Sequence, residues 1–159
     1  MKRAIVFSST SGSTEKLAKA IYDTLGEDIY CGKISDEALE ADEIYVGSWA
    51  QAFSCTPDIK AFVEKLNNKK VFVFMTAGYN HTEEFFAPII ESFKANINDT
   101  NEIIGEYICQ GKVTAAKQEA IKKMDMAKYE GMKVELDRSQ SHPDDSDIAN
   151  LVAKIKALV

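Results

Sequence analysis

The sequence predicts an α/β fold built on a parallel sheet, and three observations carry this prediction. Short apolar segments alternate along the chain with longer segments in which apolar residues recur at helical spacing. The best defined short segment, 71–75, is apolar throughout, as expected of a strand that is buried on both faces. The alternation also requires crossover connections, which are right-handed and place helices on both sides of a sheet.

Each predicted element is justified by its local pattern. The strands are apolar runs, and they lie at 4–7, 28–31, 43–47, 71–75 and 102–110. A helix is predicted wherever apolar residues recur every three or four positions, as Ile59, Phe62 and Leu66 do. The helices lie at 15–25, 58–66, 83–96, 115–126 and after Pro143, with a weak helical turn at 35–41.

Length and composition limit the class of protein. A chain of 159 residues with 45% hydrophobic residues predicts one domain, 1–159, with a substantial core. The net charge of −6 argues against a nucleic-acid partner and suits a basic partner protein. Three distant cysteines argue against a disulfide framework or a zinc site and fit a reduced cytoplasm. The apolar run at 4–7 is too short for a signal sequence or a membrane span.

The loop after the first strand, residues 8–14, is the strongest functional signal. It holds seven small residues, six of which carry hydroxyl groups. Its backbone amides and those of the following helical turn lack intrahelical partners, so they can bind an anion without Lys or Arg. The loop matches neither nucleoside-triphosphate nor dinucleotide patterns and lacks the Cys and Arg of a phosphatase loop. It therefore predicts phosphate binding without catalysis, and a Ser/Thr-rich helix cap is the alternative.

Residues 9–14, Ser-Thr-Ser-Gly-Ser-Thr, resemble the flavodoxin phosphate loop, Thr/Ser-x-Thr/Ser-Gly-x-Thr. The resemblance implies a flavodoxin-like three-layer sandwich, a five-stranded parallel sheet in the order 2-1-3-4-5, and FMN as cofactor. In this order the ligand crevice lies beyond the carboxyl ends of strands one, three and four. The implied phosphate contacts are the hydroxyls of Ser9, Ser11 and Thr14 and the backbone amides of Thr10, Gly12 and Ser13.

Two further loops at these strand ends carry aromatic residues. Aromatic side chains stack favourably on flat heterocycles, and the resemblance implies that Trp49 and Tyr79 cover the two faces of the flavin ring. Packing of Trp49 into the core is the alternative. Many flavodoxins have Gly after this Trp, whereas this chain has Ala50, which adopts positive φ less readily. The remaining predicted cofactor contacts are Ser48, Ala50, Ala77 and Gly78, and no catalytic residue or metal ligand is predicted.

The connection at 111–141 is longer than a plain crossover requires. The segments 104–112 and 142–145 resemble a subgroup of short flavodoxin-like proteins from anaerobic bacteria. Residues 110–112 either fold over the flavin edge or a docking surface, or only shape the turn that begins this insertion.

The resemblance implies an FMN-binding electron carrier that passes electrons to or from a redox partner protein, as a monomer or weak dimer with no nucleic-acid or membrane partner. Such a carrier needs no general acid or base, and acidic surroundings would lower its potential. The alternatives are an FMN-dependent NAD(P)H or quinone oxidoreductase acting on a small molecule, and an interaction module that has lost its cofactor. Of these, the carrier is the main prediction.

Overall fold

Five strands form one parallel sheet in the computed structural model, which describes residues 1–26 and 29–159. Within those residues the sheet order is β2-β1-β3-β4-β5, and every neighbouring pair is parallel. The strands are β1 Arg3–Phe7, β2 Tyr30–Gly32, β3 Glu43–Trp49, β4 Lys70–Ala77 and β5 Glu102–Gln110. The predicted strand order and parallel sheet are confirmed.

Helices cover both faces of this sheet. They are α1 Ser13–Leu25, α2 Pro57–Val63, α3 Glu83–Lys94, α4 Ala115–Met124, α5 Met126–Ser139 and α6 Asp145–Lys156, with a 3₁₀ turn at Asp36–Glu40. Helices α1 and α6 pack on one face and α2 and α3 on the other, which gives the predicted three layers. Among the described residues, none of the helices combines the length and the apolar character needed to cross a bilayer.

The sheet explains why the strands are apolar in succession rather than in alternation. Successive side chains of a strand point to opposite faces, and here both faces are covered. Ile5 and Tyr45 therefore belong to the core beneath α1 and α6, whereas Val6 and Val46 belong to the core beneath α2 and α3. All four side chains are fully buried.

The strands that lead into the crevice are longer than predicted. β3 and β4 each run two residues past their predicted ends, to Trp49 and Ala77, because parallel pairing continues through Trp49 with Thr76 and through Ala77 with Gln110. Ser48, Trp49 and Ala77 thus lie on the sheet itself. This placement gives them a more rigid support than a loop would.

Helix ends also differ from the prediction. Helix α1 begins two residues earlier, at Ser13, while α3 and α4 each end two residues earlier, at Lys94 and Met124. Helix α2 ends at Val63 because the following amides, including that of Leu66, bond to carbonyls three residues back and tighten the last turn.

Helix α5 is absent from the prediction. In this helix only Leu136 and Ser139 are buried, so the segment shows no apolar stripe at helical spacing. The predicted second strand at 28–31 includes Asp28, which lies outside the described residues, and β2 as described begins at Tyr30.

Candidate functional site

The loop between β1 and α1 is closed by its own hydroxyl groups. Ser9 Oγ accepts the backbone N–H of Gly12 at 3.1 Å and that of Glu15 at 3.4 Å. Gly12 adopts a left-handed conformation, φ +87°, which glycine adopts without strain. Gly12 is the N-cap residue of α1 and has no side chain, so the side-chain acceptors of the first turn are Ser9 Oγ for the Glu15 amide and Ser11 Oγ for the Ser13 amide at 3.4 Å. The partial positive charge at the amino terminus of α1 favours an anion beside this loop.

Other hydroxyls of this loop anchor it to distant parts of the fold. Thr14 is buried, and its Oγ1 lies 3.0 Å from Thr76 Oγ1 on β4. Ser13 Oγ accepts the backbone N–H of Lys112 at 2.9 Å and the hydroxyl of Ser11 at 2.9 Å. Across the described residues, the amide of Thr10 donates to no acceptor. The loop thus offers an amide and the partly exposed Ser9 and Ser11 hydroxyls to a ligand.

Trp49, at the end of β3, is half-buried and meets a cation. Lys117 Nζ of α4 lies 3.9 Å from the centre of its ring, a cation–π contact. Burial lowers the pKa of the Lys117 ammonium. The indole Nε1 of Trp49 is buried and has no hydrogen-bond partner in the part of the chain that the structure describes. An unpaired donor of this kind is costly unless a ligand supplies the acceptor.

The turn that follows Trp49 is a strained two-residue hairpin. Gln51 and Ser54 exchange backbone hydrogen bonds of 2.9 and 3.1 Å, and the residues between them, Ala52 and Phe53, have φ of 50° and 61°. Turns with positive φ at both central residues favour Asn and Gly. Here the two positions are Ala and Phe instead. Phe53 is 68% exposed and packs edge-on against Phe85, with ring centres 6.4 Å apart. Strain of this kind collects at functional sites.

We expect Ala52→Asn to stabilise the protein, because Asn enters the left-handed region at lower cost than Ala. The free energy of unfolding should rise by about 0.5–1 kcal/mol in urea denaturation. Ala157→Asn is the matched control, since Ala157 is exposed and has φ −70°. An equal gain in both variants, or no gain at Ala52, would contradict the strain assigned to this turn.

The loops meet at one cavity of about 660 Å³, a volume typical of cofactor sites. Seven predicted contacts line it, namely Thr10, Ser11, Trp49, Ala50, Ala77, Gly78 and Tyr79. The other five predicted contacts, Ser9, Gly12, Ser13, Thr14 and Ser48, lie outside this lining. Ser48 is fully buried, with its hydroxyl donating to the Trp49 carbonyl at 2.8 Å, so its side chain supports the loop.

Helices α4 and α5 supply a wall of the cavity, and none of its residues was predicted as a cofactor contact. Its apolar part includes Ile121 and Met124 of α4 and Met132 of α5, and its basic part includes Lys117 and Lys128. The unusual length of the insertion was the available signal. Its weakly amphipathic helices did not reveal which residues face the site.

The segment 110–112 both shapes the turn and reaches the site. A Cβ on Gly111 would lie 2.7 Å from Thr76 Cβ and 3.1 Å from Ser13 Cβ, so glycine permits this close approach. Gln110 is buried, and its Nε2 donates to the Gly78 carbonyl at 2.9 Å, while its Oε1 accepts from Arg138 of α5. Gln110 therefore couples the Tyr79 loop to the insertion.

Residues 142–145 have a local role in starting α6. The Asp144 side chain and the Asp147 side chain each accept the other's backbone N–H at 2.9 Å, which forms a capping box. His142 Nδ1 lies 2.7 Å from Asp147 Oδ2. The backbone amide of Asp147 holds the pKa of Asp144 below its ordinary value. Lys16 Nζ donates to the Pro143 carbonyl at 2.6 Å, which ties this cap to α1.

Comparison with known proteins gives concordant results. A family model described as "Flavodoxin domain" matches residues 4–156. The flavodoxin-like domain-containing protein BilS of Clostridioides difficile is 31% identical, with 97% of this chain and 95% of that protein covered. A flavodoxin structure from Streptococcus pneumoniae TIGR4 shows a TM-score of 0.63 at 19% identity over 100% of both chains. A flavoprotein from Lactobacillus acidophilus in complex with FMN shows a TM-score of 0.50 at 17% identity, covering 68% of this chain and 93% of that one.

Proposed function

The chain belongs to the flavodoxin domain family, and from that premise we propose that it binds FMN and transfers electrons to or from a partner protein. The observation that carries this proposal is that Thr10 and Ser11 of the 8–14 loop line the same cavity as Trp49 and Tyr79. A phosphate-binding loop beside an aromatic-lined cavity suits a ligand with an anionic tail and a flat ring. FMN has both features.

The polar and apolar groups that line the cavity suit the phosphate, the polar ring edge and the flat ring of FMN. The amide of Thr10, which has no acceptor among the described residues, offers a donor for a phosphate, and so would the hydroxyl of Ser11 on rotating away from Ser13 Oγ. The buried indole N–H of Trp49 has no acceptor within the described residues, and the polar edge of a flavin ring would supply one. Apolar side chains such as Ile89 and Val113 line the remaining walls and would exclude water from the ring.

When bound, FMN supplies one- or two-electron transfer, and the protein supplies binding, orientation and electrostatics. The loop would hold the phosphate by neutral donors, and Trp49 and Tyr79 would fix the ring plane. Ser48 and Gln110 would keep these groups in position, since both are buried and bonded to the backbone beside them.

The mouth of the cavity supports exchange with a protein. Phe53, Tyr79 and Met124 line the cavity and are 68%, 43% and 87% exposed, so they are reachable from solvent. Exposed apolar groups gathered at one opening are typical of interaction sites. The free thiols of Cys31, Cys55 and Cys109 support a reducing compartment such as the cytoplasm.

The proposal is tested by titrating the apoprotein with FMN and then reducing the complex anaerobically. We expect quenching of flavin fluorescence with one FMN per chain and weaker binding of riboflavin, which lacks the phosphate. NADH or NADPH alone should leave the bound flavin oxidised, whereas a trace of an NADPH-dependent flavodoxin reductase should bleach it. Rapid bleaching by NADH or NADPH without a reductase would favour the oxidoreductase, and absence of flavin binding would overturn the proposal.

A further inference from the structure

The charge around the cavity is opposite in sign to the charge of the chain. Of the described residues that line the cavity, Lys112, Lys117 and Lys128 are basic and none is Asp or Glu. The segment 112–141 that supplies them holds seven Lys and Arg against five Asp and Glu, whereas the whole chain carries −6. Exposed charges farther away than about 10 Å are largely screened at physiological salt. The lysines are therefore the charged side chains that a ligand in the cavity meets directly.

Lys117 is the most informative of these groups. Lys117 is half-buried with its ammonium over the Trp49 ring, and among the described residues no carboxylate lies within ion-pair distance of it. A cation that is partly removed from water and has no counter-ion is unfavourable by itself. The same arrangement strengthens attraction to any negative charge that enters the cavity.

Building on the proposed FMN binding, we propose that Lys117, assisted by Lys112 and Lys128, stabilises the negative charge of reduced FMN and so raises the reduction potential of the bound cofactor. Uptake of two electrons from a reductant and one proton from water converts the neutral oxidised ring into an anionic reduced ring. A nearby cation favours the charged form over the neutral one. The net charge of −6 alone would predict a lower reduction potential, whereas lysines that line the cavity predict a higher one.

The experiment measures the affinity of the protein for oxidised FMN and for FMN reduced by dithionite, together with the midpoint potential. We expect Lys117→Met to lower the preference for reduced over oxidised FMN on the order of tenfold. For a two-electron couple that change is equivalent to about 30 mV of reduction potential. The triple variant with Lys112, Lys117 and Lys128 all replaced by Met should show a larger decrease.

Matched controls separate local charge from total charge. Lys123→Met and Lys133→Met each remove one positive charge from exposed positions on α4 and α5 that do not line the cavity. Both should leave the preference for reduced FMN unchanged. Lys117→Arg keeps the charge and should preserve the potential, even if contacts with Trp49 change. Circular dichroism verifies that each variant is folded.

The outcomes are distinct. An unchanged potential in Lys117→Met with FMN bound would overturn this inference and leave the proposed function intact. An equal shift in Lys123→Met would also overturn it, because the effect would then follow total charge. Failure of the wild-type chain to bind either form of FMN would overturn both proposals.

Discussion

Replacing both Ser9 and Ser11 by Ala is expected to raise the Kd for FMN by roughly 10²- to 10⁴-fold. Ser11 lines the cavity and Ser9 is a partly exposed residue of the same loop, so the proposal has each hydroxyl donate a hydrogen bond to the phosphate, and a bond to a charged group is worth about 1.5–3 kcal/mol. Thr14 is a poorer choice for this test, because its hydroxyl is buried and already paired with Thr76. Fluorescence titration of the apoprotein measures the effect.

Riboflavin provides the control for this prediction. It lacks the phosphate, so its Kd should be nearly the same for the wild type and the double variant. Ser9 also accepts two backbone amides at the start of α1, and its loss should lower the free energy of unfolding by about 1 kcal/mol. Equal losses of FMN and riboflavin affinity would show a general collapse of the loop and would contradict a phosphate contact.

Gly47→Ala is expected to lower the free energy of unfolding by about 1–3 kcal/mol or more. Gly47 lies in the interior of β3 beside Phe74 of β4, and a Cβ at this position would lie 2.1 Å from Phe74 Cε2. Phe74 is fully buried beneath α1 and α6, so its ring has little room to move. Urea denaturation monitored by circular dichroism measures the loss.

A double-mutant cycle verifies the cause. Phe74→Leu should destabilise the wild type but restore part of the stability lost in Gly47→Ala, because the shorter side chain leaves room for the Cβ. Gly131→Ala is the contrasting control, since Gly131 lies inside α5 and its Cβ would meet nothing within 4 Å. That change should raise the free energy of unfolding by about 0.5–1 kcal/mol. A stable Gly47→Ala variant would disprove the predicted clash.

The fold was predictable because its evidence is local. A run such as 71–75 shows that a strand is covered on both faces, and helical spacing such as that of Ile59 and Phe62 shows which face a helix buries. Strand ends were less predictable because β3 continues to Trp49 through pairing with β4, a partner that is remote in sequence. Helix α5 escaped prediction because it buries too few side chains to show a periodic pattern.

The candidate site also combines residues that the local sequence indicates with residues that only contacts between remote segments reveal. Residues 8–14 were identified because their small size and hydroxyl groups are visible in order along the chain. The contribution of Lys117 was not visible, since it depends on α4 lying over Trp49. The role of Gln110 was not visible either, because its buried side-chain amide at the end of β5 bonds to the Gly78 carbonyl after β4 and to Arg138 of α5.

By itself, the amino-acid sequence determined the layered parallel fold, the flavodoxin resemblance and the place of the hydroxyl-rich loop proposed to bind phosphate, because each follows from neighbours along the chain. Only the tertiary structure decided which side chains close the cavity and which sign of charge surrounds it. The physical reason is that electrostatic interactions depend on distance in space, so the charge that lines the cavity comes from three lysines gathered there and is opposite in sign to the net charge of the chain.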